Sequence, residues 1–192
     1  MQDLSLHVLD IAENSIAAGA TRIEITINED VNQNILELKF KDNGKGMDKS
    51  VLSKVMDPFY TTKKERRVGL GLPLLAQAAR EAGGNIDVGS RKGKGTAITA
   101  TFSYDHIDRK PIGNMTETVI QLIAARGVDI DFVYKHFKNK RGFLLDTRDI
   151  KKKLSDIDIN TPEVLRLLRE TLESGLDDIK CNGGEYEKAK NR

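Results

Sequence analysis

The sequence predicts an α/β fold of the α+β type, a two-layer sandwich with helices on one face of a mixed, mostly antiparallel sheet. Three observations predict it. Amphipathic helical stripes alternate along the chain with runs in which every second residue is apolar. Glycines and prolines separate these segments. Hydrophobic residues make up 39% of 192 residues, which suits one domain of ordinary size and a smaller appendage.

The first domain is expected over residues 1–104. Ile23, Ile25 and Ile27 alternate with polar residues, which favours a strand with one buried face. Asp48 is the expected N-cap of a short helix, because aspartate accepts hydrogen bonds from free amides at that position. The predicted elements are a helix at 4–18, strands near 21–28 and 35–41, a short helix near 49–56, a helix ending near 82, and strands near 85–90 and 96–104.

Residues 105–180 are predicted to form a small helix-hairpin-helix appendage that serves dimerisation or docking. Thr116 is the candidate cap of its first helix. Leucines recur at helical spacing in its last helix. The predicted elements are a connector at 105–114, a helix at 115–125, strands at 129–137 and 142–150, and a helix at 160–180 with Leu165, Leu168, Leu172 and Leu176 as its stripe. The polar tail at 181–192 is expected to be disordered.

Composition and charge favour a cytoplasmic protein. The net charge of +2 comes from balanced acids and bases, which argues against nucleic acid as the main partner. The single cysteine, Cys181, excludes an internal disulfide and is compatible with a reducing compartment. The N-terminus does not resemble a signal peptide, and no apolar run approaches the ~20 residues of a membrane span.

The run Asp42–Met47 is the most informative motif. It follows an alternating strand and places an acid before Gly44 and Gly46. Glycine lets a flat ligand approach the backbone, aspartate can accept a hydrogen bond from an exocyclic amine, and Met47 offers an apolar surface for a ring. These features suit an adenine base, although D-x-G-x-G also occurs in ordinary turns.

The first predicted helix carries the second motif. Its residues His7, Asp10 and Asn14 are spaced three and four apart and are expected to share a face away from much of the apolar stripe. The amide oxygen of Asn14 suits Mg²⁺, and Asp10 could orient or deprotonate a water or hydroxyl. A plain solvated helix face is the alternative.

Two further blocks follow in order. A basic stretch at 61–67 precedes Gly69 and Gly71, which open an apolar helix whose amides could bind phosphate while Lys63 adds a charge. Neither a P-loop nor a dinucleotide fingerprint is present. The alternative is a solvated loop before a buried helix. The block at 91–96 taken alone is a glycine hairpin turn.

Together, in this order, the four blocks resemble the GHKL superfamily of gyrase, heat-shock chaperone, histidine kinase and MutL-type ATPases. Residues 10–20 look like its N box, 42–47 like G1, 57–63 like the F box of sensor kinases, 68–72 like G2, and 93–96 like the last glycine box. The N box looks most like MutL, whereas the F and G2 boxes look most like histidine kinases.

The resemblance implies ATP and Mg²⁺ as cofactors. Asn14 would hold the metal, Asp42 would accept from the adenine amine, and Asp10 would occupy the place of the catalytic base. The motif positions expected to contact ATP are Asn14, Ala18, Asp42, Gly44, Gly46, Met47, Phe59, Thr62, Lys63, Gly69, Leu70, Gly71, Leu72, Gly95 and Thr96. Gly46 would pack close to the ring, and Thr96 would help to read adenine through water.

Departures from the family weaken a simple transfer of its activity. The family's base is usually glutamate, and Asp10 is one methylene shorter. A displacement of roughly 1 Å at a reacting group can cost on the order of 100-fold in rate. No separate phosphoacceptor helix is recognisable, and His7 is expected to pair with Asp10 or to lie on the surface. His106 and His136 fall outside the motifs and receive the same interpretation.

The sequence therefore predicts an ATP-binding regulatory protein, an ATPase or phosphotransferase of the histidine-kinase type acting on a separate protein partner. One alternative is a nucleotide-sensing module without turnover. Another is a dimerising ATPase clamp, in which case the chain would form a homodimer.

Overall fold

The structure is a computed structural model, and it describes residues 3–57 and 71–180. Its helices are α1 Leu4–Ala17, α2 Lys49–Leu52, α3 Gly71–Glu81, α4 Met115–Arg126, α5 Thr147–Leu154 and α6 Pro162–Lys180. Its strands are β1 Arg22–Asp30, β2 Ile35–Asp42, β3 Ile86–Arg91, β4 Gly95–Ser103, β5 Asp131–Lys138 and β6 Arg141–Asp146.

The strands form one six-stranded sheet in the order β3-β4-β2-β1-β5-β6. Four of its five neighbouring pairs are antiparallel, and only β1 with β5 is parallel. The helices pack on one face, which we call the helical face, and the other is the open face. The predicted fold class is confirmed.

Alternation along the strands produces the core. In β1, Ile23, Ile25 and Ile27 are buried, while the residues between them are half-buried. The same alternation holds in β2, whose Leu36 and Phe40 face the same core as α1. Burying a large aliphatic or aromatic side chain contributes about 1.5–3 kcal/mol, so these strands and helices are held together mainly by apolar contact.

The C-terminal region extends the same sheet. β5 pairs with β1 in parallel, from Arg22 opposite Asp131 to Glu29 opposite Lys138. Residues from α4 and α6, such as Ile123 and Leu172, belong to the same hydrophobic cluster as the N-terminal helices. The division at residue 104 stays a prediction, because a shared sheet neither requires nor excludes separate folding units.

Two local predictions in this region are wrong. The strand expected at 142–150 ends at Asp146, because the carboxylate of this residue accepts from the backbone N–H of Arg148 and starts α5. Asn114, rather than Thr116, caps α4 by accepting from the Glu117 N–H at 3.0 Å. The cap at Asp48 is confirmed, although α2 is shorter than expected. The tail at 181–192 lies outside the described residues.

No helix within residues 3–57 and 71–180 is both long enough and apolar enough to cross a membrane.

Candidate functional site

Asp42 is held in a fixed orientation at the end of β2. It is buried, and its Oδ2 accepts from the Ser15 hydroxyl at 2.9 Å while its Oδ1 accepts from the Gly44 N–H at 2.8 Å. A carboxylate has about four acceptor sites, so two bonds leave capacity for a ligand donor. The side chain is therefore an oriented acceptor beside the glycine turn.

Close backbone approach requires glycine at two positions, Gly46 in this turn and Gly95 at the start of β4. Gly46 has φ +62°, and a Cβ there would lie 2.1 Å from the carbonyl oxygen of Arg91. Gly95 has φ +88°, and a Cβ there would lie 2.0 Å from the carbonyl oxygen of Asp42. Any other residue would clash with main-chain atoms that cannot move easily. The G1-like and last glycine boxes thus pack directly against each other.

Gly44 brings the same turn onto the end of α1. A Cβ on Gly44 would lie 3.0 Å from the oxygen of Ala18, and the Lys45 N–H donates to that oxygen at 2.9 Å. The predicted positions Ala18, Asp42 and Gly44 therefore come together although the first two are 24 positions apart in sequence.

Ser90 connects the predicted positions Met47, Gly95 and Thr96, and it was not itself expected from the sequence. Its hydroxyl accepts from the Met47 N–H at 2.8 Å, donates to the Gly95 carbonyl at 2.9 Å, and lies 3.0 Å from the Thr96 hydroxyl oxygen. Strand alternation places Ser90 on the helical face with Val88, but a half-buried serine in a strand carries no functional signal by itself. The arrangement fixes Thr96 beside the turn.

Asp10 and Asn14 lie opposite the first described turn of α3. A Cβ on Gly71 would lie 3.6 Å from Asp10 Oδ2 and 3.7 Å from Asn14 Nδ2. Asp10 is half-buried and Asn14 is exposed, while the neighbouring Leu72 packs partly against the core. The G2-like glycine and the polar face of α1 thus border one space.

His7 does not share that polar face. It is buried, 2% exposed, because it lies three residues after Leu4 and four before Ile11 on the apolar stripe of α1. Burial is the main cause that lowers its pKa to about 4. Its Nδ1 has no hydrogen-bond partner among the described residues. The expectation of a surface histidine is wrong, and the pairing with Asp10 stays a prediction.

His136 also departs from its expected surface position. It is buried in β5, where its Nε2 lies 2.8 Å from Glu29 Oε1 and its Nδ1 lies 2.9 Å from the Tyr134 hydroxyl. It lies at the opposite end of the sheet from Asp42, since Glu29 is the second-last residue of β1 while Asp42 pairs with Ile23 near the start of β1.

Some predicted positions fall outside the described residues. They are Phe59, Thr62, Lys63, Gly69 and Leu70, together with the expected basic lid. Among the residues that are described, no cluster of three or more histidine, cysteine, aspartate or glutamate side chains could hold a metal ion.

Ser15 is the other residue of the candidate site that was not expected from the sequence. It is buried beside Asn14 and donates to Asp42 from 27 positions away. A hydroxyl on the apolar stripe, four residues after Ile11, was the available signal, because a buried hydroxyl needs a partner.

Comparison with known proteins agrees with this geometry. Residues 2–106 match the family described as histidine kinase-, DNA gyrase B- and HSP90-like ATPases. A putative sensor protein of Shewanella frigidimarina is 35% identical over 109 residues, covering 56% of this chain and 17% of the relative. Sensor histidine kinase WalK of Bacillus subtilis is 36% identical over 111 residues, covering 54% and 18%. The chain therefore spans less than a fifth of the length of these two relatives.

A solved structure shares the fold. The crystal structure of the N-terminal domain of a DNA repair protein aligns with a TM-score of 0.54 at 18% identity, covering 76% of this chain and 53% of that one. With the family model matching more than half of the sequence, this chain belongs to the histidine kinase-, DNA gyrase B- and HSP90-like ATPase family.

Proposed function

We propose that this protein binds Mg-ATP and acts as an ATPase or protein phosphotransferase of the histidine-kinase type on a separate partner protein. The observation that carries the proposal is the oriented, buried carboxylate of Asp42 beside the packed glycine turns. Membership of the ATPase family implies nucleotide binding, and the carboxylate supplies the specificity for the base.

Asp42 would recognise adenine through its amine. The amine of adenine donates to a carboxylate, whereas guanine presents a carbonyl oxygen at the same place. That oxygen and the facing oxygen of Asp42 would then both lack a donor. A site built to hydrogen-bond one group discriminates strongly against an analogue that lacks it. Gly46, Gly95 and Thr96 form the adjoining surface.

Asp10 and Asn14 would meet the triphosphate. Both lie next to Gly71 at the first described turn of α3, and helix amides attract phosphate oxygens. Asn14 supplies a neutral hard oxygen and Asp10 a charged one, a donor set that fits a Mg²⁺ ion shared with substrate phosphates. When bound, the metal would neutralise phosphate charge, while Asp10 accepts a proton from the attacking hydroxyl or water.

The positions of the described histidines support a separate acceptor. His7 and His136 are both buried, so neither imidazole is accessible as a phosphoacceptor within its described surroundings. His106 is partly exposed, but it follows β4 at the end of the sheet opposite Asp42, since Ser103 pairs with Ile35 at the start of β2. We therefore place the acceptor group on another protein.

The first test compares two aspartates in ATP binding. Asp42→Asn replaces one acceptor oxygen by an NH₂ group that meets a donor from Ser15 or Gly44. We expect it to lose at least about tenfold in affinity for a fluorescent ATP analogue, which corresponds to about 1.4 kcal/mol. Asp87→Asn on the open face is the matched control and should bind like wild type. Wild-type affinity in Asp42→Asn, or equal binding of ATP and GTP by wild type, would remove the proposal.

A nucleotide sensor without turnover is the second candidate, and the short side chain of Asp10 favours it. Single-turnover cleavage of ATP by excess protein separates the two. In an enzyme, Asp10→Asn should abolish cleavage but retain binding, and Asp10→Glu should speed it if reach is limiting. In a sensor, wild type and both variants will share one background rate.

A further inference from the structure

A cleft lies on the open face of the sheet, where β2, β4 and β3 run side by side. Lys41, Ala97 and Gly89 form one row across these strands, since Ala97 pairs with each of the other two. Arg91 and Lys94 border the row from the β3–β4 hairpin. The cleft measures about 310 Å³, with Gly89 and Ala97 as its floor.

Gly89 has no structural reason to be glycine. Its φ is not in the left-handed region, and a Cβ built on it would meet nothing within 4 Å. Gly46 and Gly95 differ, because a side chain at either would clash with the backbone. Glycine weakens the interior of a strand, and there it often marks a place where a ligand approaches closely. The bare floor is therefore a feature that packing does not explain.

The cations around this floor have no ionic partners. Lys41, Arg91 and Lys94 form no ion pair with any residue in the described parts of the chain. Other cations on the same face do: Lys39 lies 2.7 Å from Glu37, and Lys135 lies 2.6 Å from Glu24. Lys41, Arg91 and Lys94 thus lack the ion pairs that Lys39 and Lys135 form, and Asp42 is the acid that also lines the cleft.

We propose that this cleft binds the phosphoryl group of a small molecule. The planar guanidinium of Arg91 can hold two phosphate oxygens at once, and the two lysines add point charges for a dianion. Because Gly89 has no side chain, the anion can approach the backbone between the three cationic groups. There the aliphatic stems of the lysines and the arginine limit hydration of the anion.

The cleft adjoins the base site, and its lining also includes Asp42, Ser90, Gly95 and Thr96 of that site. Lys41 and Ala97 point to the open face, while Phe40 and Ile98 beside them are buried in the core. The Asp42 carboxylate points to Ser15 on α1, on the helical face. A ligand held by Lys41, Arg91 and Lys94 therefore lies on the open face, whereas the Asp42 carboxylate points to the helical face, and the inference stands whether or not ATP is turned over.

The test uses the full chain and amide chemical shifts in NMR titrations. Inorganic phosphate and ribose 5-phosphate are the probes, and tricarballylate is the carboxylate comparison. We expect saturable shifts centred on Gly89 and Ala97, with phosphoryl probes binding at least tenfold more tightly than tricarballylate. Tighter binding of ribose 5-phosphate than of phosphate identifies a phosphate ester as ligand, and the reverse identifies the free anion. Equal binding of the carboxylate overturns the proposal.

Variants make the test specific. Gly89→Thr fills the floor, and threonine favours strands, so this variant should melt a few degrees higher than wild type yet bind phosphate at least tenfold more weakly. Arg91→Ala should weaken binding similarly. Lys140→Ala removes the same charge at the exposed turn between β5 and β6 and should bind like wild type. Undiminished binding by Gly89→Thr, or equal losses in Arg91→Ala and Lys140→Ala, overturns the proposal.

Discussion

The two ends of the central hairpin each bury a carboxylate, and they use it differently. Asp42 at the end of β2 bonds to one hydroxyl and one backbone N–H. Glu29 at the end of β1 bonds to His136, which bonds to Tyr134 in turn. The first carboxylate retains acceptor capacity beside a glycine turn, whereas the second belongs to a chain of buried side chains. Burial of an acid alone therefore does not identify a ligand site. The hydrogen-bond partners of the carboxylate distinguish a candidate site from a structural contact.

The Glu29 chain joins three buried or partly buried polar side chains. Burial raises the pKa of Tyr134, so its hydroxyl keeps its proton 2.9 Å from Nδ1 of His136. Nε2 of His136 lies 2.8 Å from Glu29 Oε1. Burial alone would raise the pKa of Glu29, but the hydrogen bond and charge of His136 outweigh it, and the pKa falls below its ordinary value. The network is satisfied internally and is structural.

The largest expected effect is on stability at the Glu29 end. His136→Ala removes the partner of a buried carboxylate, and breaking such a pair typically costs about 3–5 kcal/mol. Urea unfolding at neutral pH measures the loss. His106→Ala is the control, because His106 is more exposed and lies 3.9 Å from Asp108. A loss below about 1 kcal/mol in His136→Ala, or equal losses in both variants, would contradict a structural role.

A second effect contrasts the two buried histidines. His136 has partners at both nitrogens, whereas His7 has a pKa lowered to about 4. Unfolded His7 binds a proton near its ordinary pKa of 6.5, so the unfolded state takes up more protons between pH 6.5 and 4. Stability should fall as pH drops through this window, by up to about 3 kcal/mol.

His7→Leu should flatten this acid-side loss, since it keeps an apolar side chain on the stripe and removes the titration. Thermal unfolding from pH 7 to pH 4 measures the change, with His106→Leu as the control at a less buried histidine. The same slope in wild type and His7→Leu would assign the loss to other groups. Glu29 contributes separately at lower pH: its pKa is depressed, so its stabilisation is present above its unfolded pKa and disappears as pH falls through the folded value.

The smallest effect is expected at Ser15. Ser15→Ala removes one donor from Asp42 without moving the backbone, so the carboxylate loses part of its orientation. We expect ATP affinity to fall about fivefold, equivalent to about 1 kcal/mol, with a smaller preference for ATP over GTP. Ser5→Ala is matched, since Ser5 is equally buried and donates to Asp3 at 2.7 Å. Unchanged purine preference would show that Gly44 alone orients Asp42.

Local rules account for much that the sequence predicted correctly. Alternation identified β1 and β2, and aspartate before a short helix identified the Asp48 cap. The same rules failed where two of them competed. Residues 147–150 read as a strand continuation, yet the Asp146 carboxylate accepts from an amide of the next turn and begins α5. The spacing of His7 from Asp10 predicted the polar face of the helix. Its spacing from Leu4 and Ile11 instead places it on the apolar stripe.

By itself, the sequence indicated the family and the fold class, and it singled out Asp42 and the glycine turns as candidate site residues. These depend on residue types at fixed local spacing. Only the tertiary structure decided that Ser15 orients Asp42, that β5 pairs in parallel with β1, and that Gly89 opens a cationic cleft. Those features join residues distant in the chain. Their energies arise from burial and hydrogen bonding after the sheet has formed, which local patterns do not encode.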